Sequence, residues 1–478
     1  MIRLHRYQDR KYFFVFPAQL LCLLMAGVLE FFIMAEGHMY NKSLYNLLHM
    51  ACRLACCGFC FVSLLQPRSR LFRTNLIPAF LMAGWFLFVE FLHRSNGLED
   101  HAMGMFLSVY LLAFPFASVS QDHHKQTGLR TVSGLYIAAS MMLLVFSVLL
   151  LTERIPDFLR AFLFWDGTRL HVIHHPNIVA RILMIAIALV LGFLVRVDKP
   201  WAKGLLILGA GILFACMALT NSRACILIAC ALFGGNVFFR IHNGSFLRFL
   251  AGAAAAVLVM ALLFFASSNL FQWNTARLKE QVSRATAQEQ SEEMPVQLQA
   301  EAQILPEAVP LAEAASGEDI SHIVSDDFFT SNQHSLLSDL LTLNSRTRIW
   351  TAVFQRLQQE PWILLFGTDD TQIIGQNLKV DHTHNAWLET LLRLGIPGFL
   401  LSLYFTAQAI WSAICLLWSG AVDLWKKNIA MLSLCLLVTS MMEPLLFFTN
   451  EWAHFIDFFF FLSLGYLILW RKQLPAGK

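Results

Sequence analysis

Apolar segments long enough to cross a membrane recur along most of this chain, and they exclude a soluble globular fold. A membrane-spanning helix needs about 20 mostly apolar residues. Of the 478 residues, 57% are hydrophobic and only 14% are charged, whereas soluble domains carry about 25% charged residues. We therefore predict an all-α polytopic membrane protein of about twelve transmembrane helices. The predicted spans lie near 12–35, 44–65, 76–93, 101–119, 130–152, 178–197, 201–219, 222–241, 246–267, 387–415, 427–447 and 452–470.

The basic residues of the short loops predict how these spans are oriented. Lys and Arg concentrate in loops on the cytoplasmic side of a membrane protein. Here they concentrate in every second loop, on the side that also holds both termini; Arg68, Arg70 and Arg73 form one such group. We therefore expect both termini in the cytoplasm.

The net charge gives no support for a nucleic-acid partner, and the positions of the cysteines argue against a disulfide framework. The formal net charge is only +3, so bulk charge gives no support for nucleic-acid binding. All ten Cys fall in apolar segments, so we expect no disulfide framework. Cys52, Cys56, Cys57 and Cys60 share a helical spacing, which fits a metal site or, as we favour, buried small hydrophobic side chains.

One long polar segment divides the chain into three parts. Residues 1–267 hold the first nine predicted spans, 268–386 form a large outer loop, and 387–478 hold the last three spans. Within the loop, 275–325 is rich in Gln, Ala and Glu, and we expect a loosely ordered or helical insert there. An amphipathic helix is predicted over 345–360, because its apolar residues recur at helical spacing.

Arg346 lies at the start of this amphipathic helix. It precedes Trp350 by four residues, so the two share a helix face. An arginine on an apolar stripe either reaches lipid headgroups or meets a buried anion. The spacing alone leaves both interpretations open.

A second arginine, Arg223, follows the short outer turn Thr220-Asn221-Ser222. We expect Asn221 or Ser222 to cap the next span, which places Arg223 in its first turn. A helix N-terminus binds anions through its free N–H groups and its dipole, and a guanidinium adds to both. The alternative is an arginine that only marks the membrane interface.

Two more arginines flank a histidine-rich outer segment. Arg169 precedes His171, and His175-Pro176-Asn177 leads into a span that contains Arg181. An arginine one turn inside the membrane is expensive and usually functional. His171 and His175 are four residues apart and resemble a metal pair, but Pro176 disturbs a helix there, so we do not favour a metal.

His384 lies at the mouth of the tenth predicted span, within Asp381-His382-Thr383-His384-Asn385. A nearby helix N-terminus and partial burial both favour a neutral imidazole. His384 is therefore a candidate general base. Other interpretations are a capping or interfacial histidine, or a metal site in which His382 and His384 combine with Asp369 or Asp370.

The predicted topology places these arginines and His384 on one face of the membrane. A cationic pocket with one base suits a lipid donor that carries a pyrophosphate. The base would deprotonate an acceptor hydroxyl, and the arginines would neutralise charge on the leaving pyrophosphate. Guanidinium groups can perform the electrostatic task of a metal, so we expect neither a metal nor another cofactor.

Several motifs resemble those of a known family, the O-antigen ligase and O-antigen polymerase superfamily of bacterial envelope glycosyltransferases. His384-Asn385 is followed after nine residues by Gly395, and after two more by Gly398; this is similar to the family's His-Asn/Ser/Gln-x9-Gly-x-x-Gly signature. Arg346-x3-Trp350 with Pro361 and Gly367, Ser222-Arg223, and His175-Pro176-Asn177 are further matches.

The resemblance implies both a fold and a reaction. The fold would be a GT-C-like bundle in the bacterial inner membrane. The reaction would transfer a glycan from an undecaprenyl-pyrophosphate donor to a glycan, lipid or protein acceptor on the outer face of the membrane. Membrane lipids would surround the protein there. The motifs do not separate a ligase from a polymerase.

The resemblance also implies roles for individual residues. His384 inherits the role of base, and Arg223 and Arg346 inherit pyrophosphate binding. We add Arg169 and Arg181 from topology. The supporting residues are Asn385, Trp350, Ser222, Asn177 and His175.

The main alternative is a transporter or flippase for a lipid-linked anionic glycan. Glu30, Arg53 and Glu90 fall inside apolar segments and would suit such a role. Transporters, however, often show internal repeats, and we find no repeat in the sequence. A noncatalytic scaffold for envelope assembly is a third hypothesis. A scaffold would not require His384 beside a set of arginines.

Overall fold

The computed structural model describes most of the chain between residues 70 and 474. The described ranges are 70–93, 112–121, 126–151, 163–166, 169–172, 176–242, 245–300, 346–368, 373–375, 378–380, 383–442 and 454–474. Short helical pieces at 19–22, 24–25, 50–51 and 54–59, together with Leu446, complete the described residues. The predicted spans near 12–35, 44–65 and 101–119 fall largely outside these ranges.

Helices dominate the described residues. In chain order they are α1 (Arg70–His93), α2 (Phe114–Gln121), α3 (Thr127–Leu151), α4 (Pro176–Phe193), α5 (Pro200–Leu219), α6 (Arg223–Ile241), α7 (Phe246–Ala300), α8 (Arg346–Gln359), α9 (Ile363–Phe366), α10 (Ala386–Trp418), α11 (Leu424–Ser440) and α12 (His454–Lys472).

Two short antiparallel hairpins accompany the helices, where the sequence predicted helices alone. The first pairs β1 (Leu163–Asp166) with β2 (Arg169–Val172), and the second pairs β3 (Ile373–Gly375) with β4 (Leu378–Val380). His171 lies in β2 and not in a helix, while His175 lies outside the described residues.

Six helices of the described part are long and apolar enough to cross a membrane. They include most of α3, the whole of α4, α5, α6 and α10, and the first half of α7. Helices α1, α11 and α12 occupy three further predicted spans. This is a membrane protein, and six of the twelve predicted spans have a helix that meets both criteria.

Helix α7 extends well beyond its predicted span. Its apolar part is Phe246–Asn274, and the helix then continues into the polar insert as far as Ala300. Ala, Gln and Glu are good helix formers, so the composition that marks this insert also allows the helix to continue without an apolar face.

Helix α4 lies at the centre of the bundle. It contacts α3, α5, α6 and α11, and nearly all of its residues from Ile178 to Gly192 are buried. An apolar helix that is buried on every side must be enclosed by other helices, and α4 is such a helix in the described part of the chain.

Helices α6 and α11 pack against each other in antiparallel orientation. The ammonium of Lys427 lies 4.9 Å from the ring centroid of Phe239, and Asn236 Nδ2 donates to Asn428 Oδ1 at 3.0 Å. One turn further along, a Cβ added to Gly235 would lie 2.6 Å from Met431 Sδ. These three contacts fix which levels of the two helices face each other.

A second, smaller apolar cluster lies apart from the main core. It joins one face of α8 to α9 and to the first turns of α10, through Ile349, Val353, Leu357, Ile363 and Leu392. The segment that carries Arg346 is thereby attached to the segment that follows His384. This small cluster positions most of the candidate site.

Candidate functional site

A sharp bend in α10 shapes the segment after His384. Gly395 has φ 64° and ψ −171°, and Pro397 follows inside the same helix. Such a bend leaves backbone carbonyls without their helical partners. Two of them are bonded elsewhere: Thr368 N donates to Leu392 O at 2.9 Å, and Trp85 Nε1 donates to Leu394 O at 2.7 Å.

Two glycines allow α9 to pack closely against this bend. A Cβ at Gly395 would lie 2.7 Å from Leu365 O, and one at Gly367 would lie 2.0 Å from Arg393 O. Gly367 also has a positive φ, of 70°, which residues with a Cβ rarely adopt. Gly395 of the signature and Gly367 therefore have a structural task, which is to allow the close packing of α9 on the bend that supports the His384 segment.

We expect Gly395→Ala to lower stability markedly. The methyl group would meet the carbonyl of Leu365 in a left-handed backbone conformation that costs about 1–3 kcal/mol for a non-glycine residue. The control is Gly209→Ala, since Gly209 lies within α5 with nothing within 4 Å of an added Cβ. Thermal melting of the detergent-purified proteins should show a loss for Gly395→Ala and none for Gly209→Ala.

Hydrogen bonds hold the residue before His384 from several directions. Thr383 N donates to Glu389 Oε2 at 2.8 Å, and Thr383 O accepts from Trp350 Nε1 at 3.1 Å. The Thr383 hydroxyl donates to Asn385 O at 2.8 Å and accepts from Asn385 N at 3.2 Å. His384 itself is half-buried and has φ 52°.

Asn385 caps α10 and joins it to the end of α11. Its side-chain Oδ1 accepts from Trp387 N at 2.9 Å and Leu388 N at 3.1 Å, which is the role of an N-cap residue. Its Nδ2 donates to Met441 O at 3.1 Å. The His384-Asn385 segment is thus fixed to the residues that follow α11.

Arg346 reaches the same end of α11. Its Nη1 donates to Met442 Sδ at 3.5 Å, one residue beyond the Met441 carbonyl that Asn385 contacts. On the same helix face, Trp350 bonds the carbonyl of Thr383. Arg346, Trp350 and the His384 segment are therefore neighbours, although 38 positions separate Arg346 from His384 in sequence.

Arg223 lies at a similar level of the bundle. It precedes Asn236 by 13 residues, and Met441 follows Asn428 by 13 residues. Because Asn236 pairs with Asn428 across antiparallel helices, the same rise of about 20 Å along each helix brings Arg223 to the level of Met441. Arg223 is half-buried there.

The predicted cap of α6 was only partly correct. Ser222 occupies the N-cap position, but its side chain makes no capping hydrogen bond. The Thr220 hydroxyl instead accepts from Ser222 N at 3.3 Å, and Asn221 takes a positive φ of 52° in the turn.

Arg181 is buried within α4, with 1% of its surface exposed. The opposite end of α4 contacts the start of α11, where the Phe193 and Trp425 rings lie 4.8 Å apart. Arg181 precedes Phe193 by twelve residues, and Leu437 follows Trp425 by twelve residues. Because each separation is about 18 Å of helix, Arg181 lies near the level of Leu437. Arg181 is thus close in height to Arg223, in a helix that contacts α6.

The remaining predicted site residues are less well placed. The backbone of Arg169 pairs with Asp166 in the first hairpin, and β2 contacts α4. Asn177 lies half-buried in the first turn of α4. His175 lies outside the described residues, as do His382, Asp381, Asp369 and Asp370. Among the residues that the structure describes, no group of three or more His, Cys, Asp or Glu side chains is arranged to hold a metal ion.

Glu389 is fully buried beside the site and was not predicted from the sequence. Its Oε2 accepts from Thr383 N, and its Oε1 pairs with Arg393 Nε at 2.9 Å. The available signal was an acidic residue in the first turn of an otherwise apolar helix, four residues after the N-cap. This resembles a capping box displaced by one position, because in that motif the acidic residue lies three positions after the cap.

A comparison with family models shows what part of the chain is similar to known proteins. Residues 208–403 match the model described as O-antigen ligase. The chain carries an O-antigen ligase family domain. Comparison with curated proteins and with solved structures gave no match. The O-antigen ligase domain includes Arg223, Arg346, His384, Gly395 and Gly398, while Arg169, Arg181 and the whole of α11 lie outside it.

The O-antigen ligase match and the apolar helices agree with the resemblance drawn from the sequence motifs. They make this a membrane protein of polysaccharide biosynthesis with a general role in glycan transfer. The matched residues include the turn before α6, the whole of α8 and the His384 segment.

Proposed function

We propose that this protein transfers a glycan from an undecaprenyl-pyrophosphate donor to an acceptor hydroxyl at the outer face of the bacterial cytoplasmic membrane. The main support is the convergence of the candidate residues. Arg346 and Asn385 bond to Met442 and Met441, which are adjacent in sequence, and the α6–α11 packing brings Arg223 to the same level.

The proposed chemistry assigns one role to His384 and another to the arginines. The imidazole accepts the proton of the acceptor hydroxyl as its oxygen attacks the anomeric carbon of the donor sugar. The bond from that carbon to the pyrophosphate oxygen breaks, and undecaprenyl pyrophosphate leaves. Arg346 and Arg223 stabilise the negative charge that grows on this leaving group.

Arg181 and Arg169 have secondary roles in this proposal. A buried guanidinium such as that of Arg181 requires compensation by an anion or by hydrogen bonds. Its level in α4 suits a contribution to the electrostatic field around the pyrophosphate. Arg169, in the hairpin that contacts α4, would contact the donor only from the rim.

The deciding experiment measures lipid-linked glycan in cells that express either the wild-type protein or His384→Ala at equal levels. We expect several-fold accumulation of undecaprenyl-pyrophosphate-linked glycan in the variant, because its consumption is blocked. The accumulated glycan should lie on the outer leaflet, where a glycan-specific lectin reaches it in intact spheroplasts.

The location of the glycan separates this proposal from a transporter. A blocked flippase would leave lipid-linked glycan on the inner leaflet, where the lectin reaches it only after permeabilisation. An unchanged pool in His384→Ala cells would contradict the proposed donor or the role of His384.

A further inference from the structure

The backbone around His384 has a conformation that needs support. His384 has φ 52°, a left-handed region that residues with a Cβ adopt infrequently. Here the residues on both sides are fixed: Asn385 by its cap and by Met441 O, and Thr383 by bonds to both of its backbone polar groups.

The two bonds to the Thr383 backbone come from different helices. Glu389 of α10 accepts its N–H at 2.8 Å, and Trp350 of α8 donates to its carbonyl at 3.1 Å. The Glu389 side chain is 0% exposed, and a charged acceptor makes a stronger hydrogen bond than a neutral one. Arg393 Nε contacts the other carboxylate oxygen, so both oxygens of Glu389 have a fixed direction.

We propose that Glu389 is a positioning residue for His384, acting with Trp350 through the backbone of Thr383. This inference rests on the proposed function, in which the imidazole is the base. Neither side chain needs to touch the substrate. They hold the peptide groups before His384, so that the imidazole meets the acceptor hydroxyl in one orientation.

The first test is the kinetics of purified Glu389→Ala in lipid nanodiscs, with lipid-linked donor. A displacement of about 1 Å in a catalytic group lowers the rate about 100-fold. We expect a fall of that order in kcat, with a donor KM within about threefold of wild type, because the arginines are unchanged. Glu389→Gln keeps an oxygen that can accept from Thr383 N–H. Its kcat should therefore be at least about tenfold higher than that of Glu389→Ala.

Trp350→Phe tests the same backbone from the opposite helix. It keeps an aromatic ring but removes the N–H donor and part of the ring surface that packs on the small apolar cluster. The lost hydrogen bond alone corresponds to a loss of about three- to tenfold. The matched controls are Glu360→Gln and Trp362→Phe. The carboxylate of Glu360 pairs with Arg356 and its side chain is 41% exposed, and Trp362 is 44% exposed. Both controls should retain wild-type kcat.

A His384→Asn background separates positioning from general structural damage. Asparagine tolerates a positive φ but supplies no base. If Glu389 acts through His384, adding Glu389→Gln to this background should reduce the residual rate no further. An equal loss in both backgrounds would overturn the positioning role, as would unchanged kcat in Glu389→Gln, Glu389→Ala and Trp350→Phe. Should Glu389→Ala not accumulate, Glu389→Gln and Trp350→Phe decide the question.

The same measurements distinguish this inference from the function on which it rests. Wild-type kcat in His384→Asn itself would refute the base assignment, whatever the Glu389 variants do. An inactive His384→Asn together with fully active Glu389 variants would refute only the positioning role.

Discussion

His384→Ala should lower kcat for glycan transfer by about 10²–10⁴-fold, the usual contribution of a general base. The donor KM should change little, because the proposed pyrophosphate ligands lie on α6 and α8 and not on the His384 segment. Steady-state kinetics of the purified protein measure both quantities.

Two variants separate loss of the base from loss of the local fold. Alanine at a φ of 52° adds backbone strain, whereas His384→Asn removes the imidazole in a residue that accepts this conformation. We expect both to be equally inactive. His242→Ala is the control histidine, at the far end of α6, where it stacks on Phe238. A His384→Asn protein that keeps more than about a tenth of kcat would remove His384 from the role of base.

Much of the fold could be predicted because a membrane imposes simple rules on sequence. Apolar length alone located the helices now seen from α3 to α7 and at α10. The two hairpins were not predictable in this way, since β1 and β3 are four and three residues long and carry too little alternation to be read. The helical extension of α7 was left open because a Gln- and Ala-rich segment suits both a helix and a loose insert.

The candidate site was predictable only where residue chemistry was unusual for its position. Arg346 and His384 stood out as polar residues next to apolar runs, and Gly395 through its spacing from His384. The contacts of Met441, Met442 and Glu389 were not predictable. The methionines take part through a backbone carbonyl and a thioether sulfur, which no residue pattern reports, and the partner of Glu389 is a backbone N–H.

Arg346→Ala should lower kcat/KM for the lipid-linked donor by about 10²–10³-fold, the usual effect of removing one group that stabilises charge in the transition state. Arg346→Lys keeps the charge but loses the planar pair of donors that fits a phosphate, so an intermediate loss is expected. Arg348→Ala is the matched control: Arg348 lies on the same helix and is exposed, and its removal should change kcat/KM less than about twofold.

Arg223→Ala provides an independent test of whether the two arginines meet one ligand. If both stabilise the same pyrophosphate, the double variant should lose less than the product of the single losses, because interactions with a shared partner are not additive. Inhibition by inorganic pyrophosphate should weaken in both single variants and stay unchanged in Arg348→Ala. Equal and mild effects of Arg346→Ala and Arg348→Ala, with no change in pyrophosphate inhibition, would instead mean that Arg346 contacts only lipid headgroups. In that case the contact between Arg346 and Met442 would serve to anchor α8 at the membrane surface, and the positive charge at the site would have to come from Arg223 and Arg181.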